Sequence, residues 1–237
     1  MVIECVWEHN GNDTLLYPTN LPGAYTRGAS LDTAVQKMPN EARAYLKWKG
    51  EVLPKEIAVK VVQSTSCKLN VRDADSDVIF DTEKTPLTLN EYNSMKKLVL
   101  KSAADFLTLY NAVPNKSKSD LPIRDTFYGQ IPRTADEMYI HTKNVNEYYF
   151  REIGVHADNN GSISDCRRKG FDILEQAPDF LSNNLTNGSY GEDWTLRKVM
   201  RRFIWHDRIH AKAMYRMSVR LFGGEQIPDI FYFKELI

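Results

Sequence analysis

Two histidines, His206 and His210, stand four residues apart in the run DWTLRKVMRRFIWHDRIHAKAMYRM, and a third, His141, stands in PRTADEMYIHTKNVNEYYF. A helix rises about 1.5 Å per residue, so side chains at i and i+4 are stacked neighbours roughly 6 Å apart at the backbone. Two imidazoles so placed can converge on one ion. Around them Leu196, Val199, Phe203, Ala213, Met217 and Leu221 recur in steps of three and four, which sets both histidines on the core face of one long helix. His141 shares a second helical stripe with Met138, Val145 and Tyr148. An antiparallel bundle that joins the two faces brings the three imidazoles together. Three nitrogen ligands suit zinc, nickel or another borderline divalent metal and leave one or more positions for water or substrate.

The plainer account is that an HxxxH pair arises by chance and that a lone core histidine is usually a hydrogen-bonded structural residue. Three imidazoles in an apolar interior, however, each need partners for both ring nitrogens, and a shared cation with outer acceptors supplies them. Candidates for that outer layer are Glu137 and Arg202, one turn before His141 and His206, and Tyr148, two turns after His141. Glu137 is also explained by a capping box with Thr134, Arg202 by a solvated basic run, RKVMRR, and Tyr148 by simple packing. Asp207 points about 100° away from His206 and should not share its ion. His156, just past the second helix, is the reserve ligand, and His9 is expected in a turn. The absence of an HExxH glutamate removes the general base of a zinc peptidase.

Four helical patterns position these residues after Asp81. The first opens on the capping box TLNE at 88–91 and carries Tyr92, Met95, Val99, Phe106 and Tyr110 on one face. A long connection from Val113 to Pro132 leads to a second capping box, TADE at 134–137, and a helix to about Ile153. A third helix, Ile163 to Ala177, is expected to turn Ile163, Cys166, Gly170, Ile173 and Ala177 inward. The fourth runs from near Trp194 to Leu221 and is stopped by Gly223 and Gly224.

Through these two histidine-bearing segments the chain resembles the DinB-like family of metal-binding four-helix bundles, over roughly Thr82 to Phe222. The resemblance implies a divalent metal on His141, His206 and His210. Characterised branches of that family are thiol-dependent transferases, which implies a low-molecular-weight thiol cosubstrate and a small-molecule substrate here.

Ahead of the bundle, short apolar runs between Ile3 and Gly28, broken by HNGND and NLPG, read as strands. Ser30 caps a helix that ends at Gly50 and should be kinked or split at Pro39, and EIAVKVVQSTSC after Pro54 reads as a further strand. The segment LPGAYTRGASLDTAV resembles the HicB-like antitoxin domain through Leu21, Pro22, Gly23, Thr26, Gly28, Leu31 and Ala34. The bundle replaces the DNA-binding element of an ordinary antitoxin, so this half is expected to serve as a structural or protein-interaction module, or to form homodimers. The fold class is therefore α+β, with a HicB-like module at 1–80 and a DinB-like bundle at 81–237.

Composition narrows the function. Lys+Arg and Asp+Glu both number 31, so no global field favours nucleic acid or an anionic membrane, and the short cluster Arg197, Lys198, Arg201 and Arg202 lacks interleaved aromatics. No stretch reaches the length of a membrane span, and MVIECVWEHN lacks the form of a secretory signal. Cys5, Cys67 and Cys166 have neither metal-type nor redox-type spacing. A cytoplasmic protein is expected. Two function classes remain: a metal-dependent transferase or hydrolase, and a regulatory protein with a structural metal.

Overall fold

The computed structural model describes residues 1–126 and 129–236, so Phe127 and Tyr128 of the Val113–Pro132 connection, and Ile237, lie outside the described residues. The described residues are mixed α+β, with a four-stranded sheet near the start of the chain and five α-helices. Strands β1 (Val2–Asn10) and β2 (Asp13–Pro18) form an antiparallel hairpin whose turn places Gly11 at φ 57°, a conformation glycine adopts without strain. β3 (Thr26–Gly28) pairs with β2, and helix α1 (Leu31–Lys49) crosses to β4 (Ala58–Ser66), which lies parallel to β1 at the sheet edge. Between Cys5 and Val6 the β1–β4 register shifts by one residue.

Alternation along the strands gives the sheet two apolar faces. Ile3, Cys5 and Leu16 belong to the same cluster as Ala34, Met38, Ala42 and Tyr45 of α1. Val6, Leu15 and Tyr17 on the other face pack with Val71, Val78, Phe80 and Trp205. Pro39 does not divide α1, which runs unbroken over 19 residues. The missing amide of a mid-helix proline costs about 3 kcal/mol, and the burial of Ala34 and Met38 before it and Ala42 and Tyr45 after it holds both halves on the sheet.

Helices α2 (Leu89–Ala112), α3 (Ala135–Arg151), α4 (Ile163–Leu174) and α5 (Leu196–Phe222) follow. α2 and α3 each pack against both α4 and α5. Both expected capping boxes are present: Thr88 accepts from the Glu91 amide and Thr134 from the Glu137 amide, while each glutamate reaches back. The buried face of α4 differs from expectation, being Ile163, Cys166, Arg167, Gly170, Phe171 and Leu174, with Ile173 and Ala177 exposed. Gly170 turns inward as expected and lies against the Phe150 ring, where a Cβ would be 2.1 Å away. A short hairpin, β5 (Asp125–Thr126) with β6 (Gly129–Gln130), precedes α3, and another, β7 (Thr186–Asn187) with β8 (Asp193–Trp194), precedes α5.

From Lys198 to Arg208 every residue of α5 is buried, so this helix is the axis around which the other elements pack. One apolar cluster joins Ile3 and Tyr45 to Phe106, Phe203 and Phe231, spanning both sides of residue 80. Among the described residues no helix is long and apolar enough to cross a membrane.

Candidate metal centre

His141 projects from the second turn of α3, and His206 and His210 from the middle of α5, two helices that pack side by side. The ring centroids of the three imidazoles are 4.6 to 4.9 Å apart. Nε2 of His141 lies 3.1 Å from Nε2 of His206, and one ligating nitrogen from each residue falls within a 4.8 Å span. Nitrogens bound to one ion at about 2.1 Å would be roughly 3.0 Å apart at a right angle and roughly 3.4 Å apart at the tetrahedral angle. The His141–His206 separation already lies in that range, and a His210 nitrogen falls within 4.8 Å of both. The edge of Tyr149 packs on His206 with ring centroids 6.1 Å apart, closing the interior side.

Electrostatics favour neutral imidazoles. Burial lowers the pKa of all three; for His206 it is joined by repulsion from His210, His141, Arg202 and Arg167. His210 is pushed down to about 3, by burial and then by His141. A neutral imidazole offers a lone pair, which is the state a metal needs. Nδ1 of His206 is buried without a hydrogen-bond partner. This donor set fits a borderline divalent cation.

The other expected site residues are dispersed. Glu137 lines an open cleft of ≈ 370 Å³ together with Gln130, Ile131, Pro132, Ile140 and His141, while its Oε2 accepts from the amides of Arg133 and Thr134. Those bonds hold its carboxyl below the ordinary carboxylate range. Tyr148 packs against Tyr149 and Trp194. Arg202 donates to the Ser76 carbonyl at 2.7 Å and its guanidinium stacks over Trp205. Asp207 turns away from the histidines, as its helical phase requires, and pairs with Arg167. His156 is exposed beside a second cleft with Glu147 and Arg151, away from the three histidines. His9 lies in β1 rather than in a turn, stacked on Trp7 at 4.1 Å, because the period-two alternation of the strand continues to Asn10.

The basic run of α5 is turned inward. Lys198 donates to the carbonyls of Asp77 and Asp193 and pairs with Glu192, and Arg201 pairs with Glu83. Arg197 donates to the carbonyls of Thr85 and Pro86. Farther along, Arg208 and Lys212 both bind Glu41 of α1. These cations fasten α5 to α1 and to the segment that follows β4. Sequence spacing gave no sign of it, because apart from Asp193 and Glu192 their partners are carbonyls and carboxylates over a hundred positions away. Compared with protein-family models, curated proteins and solved structures, the chain matches none.

Proposed function

We propose that the chain is a metal-dependent enzyme of the DinB-like type, with α2 to α5 as its four-helix bundle and His141, His206 and His210 as ligands of a zinc or nickel ion. The observation that carries this reading is the convergence of three neutral imidazoles within a 4.8 Å span beside an open cleft. With a divalent ion held by His141, His206 and His210, the pKa of a bound thiol or water would be lowered, so that a nucleophile would exist at neutral pH. The chain's own residues supply the lone pairs, the Tyr149 wall that shuts off the interior, and an entry beside Ile131, Pro132 and Ile140. A structural metal favours a closed, four-ligand site; here the described residues bring together three ligands with solvent access on the His141 side.

The resemblance to thiol-dependent transferases names the reaction class: transfer of a low-molecular-weight thiol to a small electrophile, with hydrolysis as the variant in which water replaces the thiol. The N-terminal third, read as a HicB-like module, serves chiefly to support the bundle, since both faces of β1 and β2 are covered from within the chain, while alternate residues of the edge strand β4 stay exposed. The test is thiol conjugation to an electrophile panel by protein purified without chelator, with His206→Ala as control. The proposal expects metal and activity to be lost together; loss of metal with activity retained contradicts it.

A further inference from the structure

Behind the histidines lies a charged pair that no part of the proposed chemistry uses. Arg167 of α4 and Asp207 of α5 are both fully buried, with Nη2 of the arginine 3.1 Å from Oδ1 of the carboxylate. Nη1 of the same guanidinium donates to Oδ1 of Asn146 on α3 at 3.3 Å, and Asn146 in turn donates to the Asp158 carbonyl at 3.0 Å. The guanidinium plane is held over Phe203 at 3.5 Å. Ser102 of α2 sits beside Asp207, and the hydroxyl of Thr142 on α3 is buried without a hydrogen-bond partner. Each of the four helices therefore contributes a polar side chain to an otherwise apolar interior.

Such a pair is a poor stabiliser. Removing two charges from water consumes most of what their attraction returns, and an apolar pair of similar volume is often at least as stable. What it does supply is a fixed geometry, because a guanidinium fork accepts only certain positions of its partners. The placement of its partners is telling: Asp207 directly follows His206, and Asn146 lies on α3 little more than a turn beyond His141. Arg167 thus ties together the two helices that carry the ligands. Useful metal geometry requires ligands held to about 0.5 Å.

We infer that Arg167, with Asp207 and Asn146, is a positioning device that sets the rotation of α3 and α5 so that His141, His206 and His210 face a single ion. The inference rests on the metal reading above. Two variants test it: Arg167→Lys, which keeps the charge and loses the fork, and the double variant Arg167→Met with Asp207→Leu, which replaces the pair by apolar groups. The readouts are Co2+ affinity, the visible d–d spectrum of the Co2+ form, and thermal unfolding of the metal-free protein. The expected result is a loss of Co2+ affinity on the order of 10- to 100-fold with altered d–d bands in both variants, while the double variant unfolds at or above the wild-type temperature. Wild-type affinity and spectrum in both variants overturn the positioning role and leave the metal site standing. A double variant that does not fold assigns the network to fold stability and also overturns it. Absence of Co2+ binding by the wild-type chain is the separate failure of the metal reading.

Discussion

Whether the three histidines can act as ligands at ordinary pH depends on where each proton resides. Their pKa values are lowered by burial, which disfavours the imidazolium form. In the unfolded chain the same groups titrate near about 6.5. Below that value the unfolded chain binds more protons than the folded one, so acidification favours unfolding. Their contribution is therefore complete above the ordinary imidazole range and declines as pH falls towards the folded values, about 3 for His210. The urea midpoint of metal-free protein is expected to be lower at pH 5.0 than at pH 7.5, and the drop to be smaller in His206→Gln; an equal drop in the variant contradicts the assignment. The convergence of the three histidines was legible because HxxxH spacing coincided with an apolar stripe. The outer residues were not, since a helical position says on which face a side chain starts and not which acceptor it reaches. Arg202 ends on the Ser76 carbonyl and Tyr148 on a neighbouring aromatic pair.

At the scale of elements, caps and periodicity located α2, α3 and α5 closely, because Thr88, Thr134 and the three-four apolar steps act locally. The inward face of α4 was legible in part: Ile163, Cys166 and Gly170 turn inward as expected, but Phe171 and Leu174 complete the face and Ile173 stays in solvent. At Gly170 the Phe150 ring of α3 adds a tertiary contact to helix propensity. Gly170→Ala separates the two influences. Alanine is the better helix former by about 1 kcal/mol, whereas forcing a methyl into a packed core costs about 1–3 kcal/mol. The buried Phe150 ring has little room to yield, so a net loss of stability is expected in thermal unfolding. A variant as stable as the wild type would show that the ring moves freely. The integrity of α1 across Pro39 is a second case in which burial on the sheet overrides a local signal.

For the molecule as a whole, the unexpected feature is how α5 is secured. Glu41 of α1 accepts from Arg208 at 2.7 Å and from Lys212 at 3.0 Å, linking the N-terminal layer to the helix that carries His206 and His210. Burial raises the Glu41 pKa, but Lys212 and Arg208 outweigh it and the net shift is downward. Its contribution is thus complete above the ordinary carboxylate pKa of about 4.3 and is lost as pH falls through the lower folded value. Glu41→Gln leaves Arg208 buried without its counter-charge, and breaking a buried pair costs about 3–5 kcal/mol. A clear fall in unfolding free energy at pH 7 is expected, shrinking in acid below the folded Glu41 value; a variant indistinguishable from wild type at pH 7 contradicts the linking role. The most direct test of the central claim is the metal content of the whole chain, purified without chelator, equilibrated with zinc or nickel and freed of excess ion. One divalent ion per chain is expected, held by the single histidine trio and lost in His141→Ala and in His206→Ala. A wild-type chain that retains no metal, or variants that retain as much as the wild type, would contradict the account.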